Sequence, residues 1–176
     1  MELTVPNALT LFRFALVPVF AWIFFSDGPV FALSIFLTAS ITDILDGYIA
    51  RRTNKITTFG KWADPLADKI MTITVLICLT IARHLPWYFL AFYSAKETLM
   101  VIGAAISYRG KDREKFNGSK KIGKAAMVAT FIGLTASFFK EQIDPWHIVM
   151  MWIGTALSIA AFIYYYSHHY RKKMRG

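Results

Sequence analysis

The sequence contains a single cysteine, Cys78, which lies within an apolar run. One cysteine excludes a disulfide framework and a metal site built from thiolates, so we interpret Cys78 as a small buried hydrophobic residue. Acidic residues are also scarce, with 11 Asp and Glu against 20 Lys and Arg. The basic residues flank apolar stretches instead of covering a soluble face, which indicates topology signals and contacts with anionic lipids. We therefore predict no nucleic acid partner.

Apolar residues, by contrast, are abundant. They make up 56% of the 176 residues, and the mean hydropathy is +0.43. A chain of this length accommodates about six membrane spans of ~20 residues with short loops. The sequence therefore predicts an all-α fold, in which residues 1–176 form one integral membrane domain with six transmembrane helices. The predicted spans are 6–25, 30–49, 62–82, 86–108, 122–139 and 146–166.

Two features mark the ends of these spans. Residues 26–29, Ser-Asp-Gly-Pro, predict a tight turn after the first span. The first span has no basic segment before it and no small-residue cleavage site after it, so we expect a retained helix and not a signal peptide. The four histidines, His84, His147, His168 and His169, are interpreted as interfacial or solvated.

Loop charge predicts the orientation of the chain. Lys and Arg number four in residues 51–61, seven in residues 109–124 and four in the tail 171–175, whereas the opposite connections hold only Arg83 and Lys140. Positively charged loops remain on the cytoplasmic side. Both termini, and the polar segment 51–61, are therefore expected to face the cytoplasm.

Four aspartates occupy the stretch from residue 43 to residue 68, between two apolar spans. Asp43 and Asp46 are three residues apart, and Asp64 and Asp68 are four apart, so each pair lies on one face of its own helix. If the segment 51–61 folds the two helices together, the carboxylates converge and repel each other unless cations lie among them. The pattern predicts a site for hard divalent cations, Mg²⁺ or Mn²⁺.

The same stretch carries a longer pattern, D-x2-D-G-x2-A-R-x8-G-x3-D-x3-D, which runs from Asp43 to Asp68 without a departure. It resembles the signature of the CDP-alcohol phosphotransferase family. The PNALTLFR segment at residues 6–13 and the six-span layout are similar to the bacterial phosphatidylglycerophosphate synthases of that family.

The resemblance implies an enzyme of the bacterial cytoplasmic membrane that transfers a phosphoalcohol from a CDP-alcohol to a second alcohol and releases CMP. It also implies two divalent metal ions and a homodimer. By the same resemblance Asp43, Asp46 and Asp64 are metal ligands, and Asp68 is either the base that takes the acceptor proton or a further ligand. The residues that it implies for CDP binding are Asp46, Gly47, Ala50, Arg51 and Gly60.

The resemblance makes CDP-diacylglycerol the donor and leaves two acceptors open. Glycerol 3-phosphate is the first choice, because basic residues that can bind its phosphate follow the signature: Lys96, Lys120, Lys121 and Lys124. Lys96, however, stands where related synthases have Arg, and Ala104 stands where they have another Arg. These departures weaken the first choice, and the Tyr-rich and His-rich tail is similar to the cardiolipin synthases of the same family. A cardiolipin synthase, whose acceptor is phosphatidylglycerol, is therefore the alternative.

Intramembrane charge alone is also compatible with other classes of protein. A divalent-cation transporter also places aspartates inside a helix bundle, whereas a structural membrane subunit needs no clustered acids. Release of CMP from a CDP-lipid distinguishes the enzyme from both. Arg13 and Lys69 are costly if they face lipid, so we expect them either to balance the aspartates or to contact substrate.

Overall fold

The structure is a computed structural model that describes residues 5–53, 58–109 and 120–173. All regular secondary structure in these residues is helical, as the sequence predicts. The helices are α1 (Val5–Ser26), α2 (Pro29–Thr53), α3 (Thr58–Ile81), α4 (Trp87–Arg109), α5 (Lys120–Ser137), α6 (Lys140–Ile143) and α7 (Trp146–Lys173).

The chain forms two compact units, Met1–Ser94 and Ala95–Gly176, and the boundary between them falls within α4. The first unit holds α1, α2, α3 and the beginning of α4. The second unit holds the rest of α4 with α5, α6 and α7.

In the first unit α1 is the central helix. It packs along both α2 and α3, whereas α2 and α3 contact each other only briefly. Its buried side recurs every three or four residues, which is the spacing of one helix face. That side consists of Thr10, Arg13, Leu16, Phe20 and Phe24. The helices of the aspartate stretch are therefore held together mainly through α1.

The turn between α1 and α2 confirms the one predicted at residues 26–29. The backbone N–H groups of Asp27 and Gly28 both donate to the carbonyl of Ile23, at 2.9 and 3.2 Å. Gly28 has φ of +100°, a left-handed conformation that glycine adopts without a steric penalty. Pro29 then opens α2, where its missing N–H costs nothing.

In the second unit α5 and α7 pack closely at two glycines. A Cβ atom on Gly133 would lie 2.9 Å from Met151 Sδ, and one on Gly154 would lie 2.9 Å from the backbone of Thr130. Small residues permit this close approach, which favours van der Waals packing between helices in lipid. Nearby hydroxyls of Ser137 and Thr155 donate to carbonyls one turn back on their own helices, so these buried polar groups are satisfied.

Apolar side chains also cover much of the outside of both units. Trp22 is 73% exposed, and Phe31, Phe162 and Ile163 are exposed as well. Two helical segments are long and apolar enough to cross a membrane, Ala8–Ser26 and Trp146–Tyr164, and two shorter helical segments, Pro29–Thr42 and Ile122–Ser137, are apolar. The helical fold is confirmed, whereas the six crossings and the orientation of the termini remain predictions.

Several predicted boundaries are wrong. α2 continues to Thr53 and α3 already begins at Thr58, so most of the predicted loop 51–61 is helical; residues 54–57 lie outside the described part. α7 likewise runs to Lys173, beyond the predicted end at 166. Because a helix satisfies its own backbone hydrogen bonds, it does not have to end where apolar residues end. The short helix α6 was not predicted.

Candidate active site

The two aspartate pairs lie at the same end of the first unit. Asp43 and Asp46 fall in the second half of α2, and Asp64 and Asp68 fall in the first half of α3. Since only residues 54–57 separate the two helices in sequence, the end of α2 and the beginning of α3 are neighbours. The backbone therefore places both halves of the signature at one end of the α1–α2–α3 unit.

Small buried residues position these helices against α1. Ala39 on α2 and Ala63 and Ala67 on α3 are all buried, with 7% exposure or less. Alanine lets neighbouring backbones approach closely, as is usual between helices in membranes. Asp43 follows Ala39 by four residues on α2, and Asp68 directly follows Ala67 on α3.

Asp68 is the only signature aspartate whose side chain is described, and it is exposed. The side chains of Asp43, Asp46 and Asp64 lie outside the described part, as do those of Ala50 and Arg51 in the predicted CDP site. Gly47 and Gly60 are described only as helical positions of α2 and α3. Among the side chains that are described, no group of three or more His, Cys, Asp and Glu could hold a metal ion.

Arg13 is the charged residue that the structure places deepest in the first unit. Its side chain is 1% exposed, and it lies on α1 between the helices that carry the aspartates. The sequence indicated that Arg13 should avoid lipid, but spacing alone did not show that its whole side chain is buried. Lys69, which follows Asp68, is partly exposed.

The predicted acceptor residues belong to the second unit. Lys96 Nζ lies 3.2 Å from Glu97 Oε1, and the two side chains are 24% and 22% exposed, so Lys96 has Glu97 as its ionic partner. Lys124 is exposed on α5. Lys120 and Lys121 begin α5, and their side chains lie outside the described part.

One histidine differs from its predicted environment. His147 is 0% exposed, and its Nδ1 lies 3.6 Å from Asp144 Oδ1 at the beginning of α7. The interpretation of all four histidines as interfacial or solvated is therefore wrong for His147. The reason is the chain reversal at α6, which folds the first turn of α7 back towards the end of α5.

The fold and the site together define a class: an all-helical protein with long apolar helices and two carboxylate pairs on consecutive helices. Residues 3–160 match the family model described as CDP-alcohol phosphatidyltransferase. Because this match covers most of the chain, the protein belongs to that family.

Two similar proteins have nearly the same length as this chain. One, from Salmonella paratyphi A, is 29% identical over 173 residues, which is 95% of each chain. The other, from Escherichia coli K12, is 28% identical over the same share. Both are named CDP-diacylglycerol--glycerol-3-phosphate 3-phosphatidyltransferase.

Proposed function

We propose that the protein transfers the phosphatidyl group of CDP-diacylglycerol to glycerol 3-phosphate and releases CMP, as the names of its relatives describe for them. The observation that carries this proposal is the complete signature on α2 and α3, both packed against α1 at one end of the first unit. The family match over residues 3–160 supports the same reaction class.

The donor set of the signature fits two divalent cations, Mg²⁺ or Mn²⁺. Four carboxylates on two neighbouring helices supply hard oxygen ligands, which such cations prefer. Asp43, Asp46 and Asp64 would hold the ions, with Asp68 as a further ligand or as the base. When bound, the ions neutralise charge on the pyrophosphate and on the leaving CMP.

The protein's own residues then have distinct tasks. The acceptor hydroxyl oxygen attacks the phosphorus that carries diacylglycerol, the bond from that phosphorus to the CMP oxygen breaks, and CMP leaves with the electron pair. Asp68 takes the hydroxyl proton, a role for which an accessible carboxylate is suited. Arg51 would bind a phosphate of the CDP group through its fork of donors. The short side chains at Gly47, Ala50 and Gly60 would leave room for the nucleotide.

The acceptor phosphate would be bound by the lysines that the sequence predicts for it. Lys124 is exposed, and Lys120 and Lys121 lie one turn before it on the same helix. Lys96 is paired with Glu97, and we propose that it contributes positive charge without the bidentate geometry of an arginine fork. We place the site on the cytoplasmic face of a bacterial membrane, in a homodimer surrounded by anionic lipids.

The proposal is tested by identifying the lipid product. Purified protein is given radiolabelled CDP-diacylglycerol with glycerol 3-phosphate, phosphatidylglycerol, inositol phosphate or serine in turn, together with Mg²⁺ or Mn²⁺. We expect phosphatidylglycerophosphate and CMP, and no product after chelation. Cardiolipin formed from phosphatidylglycerol, with glycerol 3-phosphate inert, would instead establish the cardiolipin synthase alternative.

A matched pair of lysine variants sharpens this test. Lys124→Ala should raise the KM for glycerol 3-phosphate at least tenfold, because a charged hydrogen bond to the acceptor phosphate is lost. Lys140→Ala, which removes a lysine from the other end of the α5 region, should leave both KM and kcat unchanged. An unchanged KM in Lys124→Ala would remove that residue from the acceptor site.

A further inference from the structure

The buried guanidinium of Arg13 requires compensation by negative charge. Arginine keeps its positive charge at any pH at which proteins are folded. A buried charge without an opposite charge is strongly destabilising, whether the surroundings are protein or lipid. Because Arg13 is 1% exposed on the inward face of α1, the compensating groups belong to the interior of the first unit.

Few acids in the first unit are available for this purpose. Residues 1–94 contain Glu2, Asp27 and the four signature aspartates. Asp27 follows the far end of α1, about 20 Å along the helix from Arg13. The signature aspartates lie on α2 and α3, the two helices that pack along α1, so we take them as the partners of Arg13.

The register of the helices shows which aspartates lie at the depth of Arg13. Helices α1 and α2 are joined by the turn at 27–28, and position 42 of α2 lies as many residues after this turn as Arg13 lies before it. Position 42 is therefore at about the depth of Arg13. The rings of Phe24 and His84, whose centres are 6.5 Å apart, connect the end of α1 with the end of α3. Phe24 and Arg13 are 11 residues apart, and counting the same number back from His84 brings the depth of Arg13 to about position 73. Asp43 is therefore within one helical turn of that depth, and Asp68 within about one and a half turns.

We propose that Arg13 is a positioning residue of the carboxylate site, and that its guanidinium is the fixed counter-charge of Asp43 and Asp68. It acts through these carboxylates and does not contact the reacting phosphate. This role rests on the proposed function only where it concerns the metal ions. In the metal-free protein Arg13 offsets the mutual repulsion of the aspartates, and bound cations take over part of that task.

The first test compares stability with and without metal. Cys78, the only cysteine, is 2% exposed within α3, so its reaction with a thiol-reactive dye reports the unfolding of this unit. Arg13→Met should lower the Tm on the order of 10 °C in EDTA, and saturating Mn²⁺ should recover more than half of that loss. Arg13→Lys, which retains the charge, should lose much less. An equal loss in EDTA and in Mn²⁺, in a protein shown by direct titration to bind Mn²⁺, would overturn the proposal.

The second test neutralises the aspartates in the protein that already lacks the Arg13 charge. In the Arg13→Met background, Asp43→Asn or Asp68→Asn should raise the Tm in EDTA, because each removes one of the uncompensated carboxylates. Asp27→Asn, the matched control at the far end of α1, should not raise it. If Arg13→Met does not accumulate in membranes, recovery of its accumulation by Asp43→Asn or Asp68→Asn, but not by Asp27→Asn, measures the same coupling. Absence of recovery by both aspartate variants would refute the pairing.

These outcomes are separable from a failure of the proposed function. Neither test uses a substrate, so coupling between Arg13 and the aspartates can be found in a protein that makes no phosphatidylglycerophosphate. In that case only the proposed reaction fails. Conversely, the enzyme could be active while Arg13→Met is equally destabilising in every background. The proposed function would then stand, and the positioning role of Arg13 would be refuted.

Discussion

At the scale of single residues, Asp68 is the signature aspartate of α3 whose side-chain exposure the structure describes. Ala63 and Ala67 are buried against the core, and the residues that follow them, Asp64 and Asp68, are turned about 100° around the helix from those alanines. Asp68 is exposed, so solvent and substrate can reach its carboxylate. This access is what a proton acceptor needs, whereas a metal ligand needs only a fixed distance to the ion.

The exposure of Asp68 leads to a prediction for the asparagine variants. Asp68→Asn should reduce transfer by about 10²- to 10⁴-fold, the usual contribution of a general base, while the protein still binds Mn²⁺ and CDP-diacylglycerol. Asp43→Asn and Asp64→Asn should remove most turnover by weakening Mn²⁺ binding, with the helical fold retained. The measurements are Mn²⁺ titration, donor binding and CMP release on the same purified samples.

Asp27→Asn serves as the control for these variants, because Asp27 is an exposed carboxylate in the turn that opens α2. It should release CMP at the unmodified rate. Loss of Mn²⁺ binding in Asp68→Asn would make Asp68 a ligand, and full turnover in Asp43→Asn or Asp64→Asn would show that the signature carboxylates are not needed.

How far single residues are predictable depends on what determines their position. The aspartate pairs follow from sequence spacing, because helix geometry fixes which residues share a face. The burial of Arg13 and His147 does not follow in the same way. Each depends on which neighbouring helix covers that face, and a hydrophobicity pattern carries no information about the neighbour.

At the scale of helices, the positions of the long elements were predictable and their ends were not. Apolar runs mark the helices well, because a span must be apolar over most of its length. The ends of α2 and α7 lie in polar or basic sequence without Gly or Pro to stop them, so these two helices continue. α6 has only four residues, too few for a periodic pattern.

The close packing of α5 and α7 supplies a prediction for the second unit. A Cβ on Gly154 would meet Thr130 Cα and N at 2.9 Å, and backbone atoms cannot move aside singly. A Cβ on Gly133 would lie 2.9 Å from the flexible sulfur of Met151, and its backbone contacts, Met151 N at 3.0 Å and Met150 C at 3.1 Å, are slightly longer than those at Gly154. Gly154→Ala should therefore lower the Tm by about 5 °C, from an overpacking cost of about 2 kcal/mol, and Gly133→Ala should lower it less.

Thermal loss of helical circular dichroism measures this effect. Ala156→Leu is the control, since it adds carbon atoms to an exposed position of the same helix and should leave the Tm unchanged. The opposite order of the two glycine variants, or no loss in Gly154→Ala, would contradict the close contact between α5 and α7.

At the scale of the whole molecule, charged and apolar stretches are separated along the sequence. The basic segments lie at 51–61, 109–124 and 171–175, whereas the turn at Asp27–Gly28 and the α6 region hold few basic residues. On the helices between these segments of the sequence, large apolar side chains remain exposed, as on a surface that meets lipid acyl chains. The aspartate end of the first unit adjoins the basic segment 51–61. A water-soluble acceptor and an anionic lipid donor would both be attracted to that end.

The membrane topology is the prediction that belongs to this scale. Cysteines introduced one at a time into the segments 110–119 and 174–176 should react with a membrane-impermeant maleimide only when the cytoplasmic side is accessible. Cysteines at the exposed positions Ser26 and Gln142 should react only from the outside. Cys78 is buried, so it contributes little background in the folded protein, and Cys78→Ala removes what remains. The reverse pattern would invert the orientation, and labelling of Ser26 and the segment 110–119 from the same side would be incompatible with six spans.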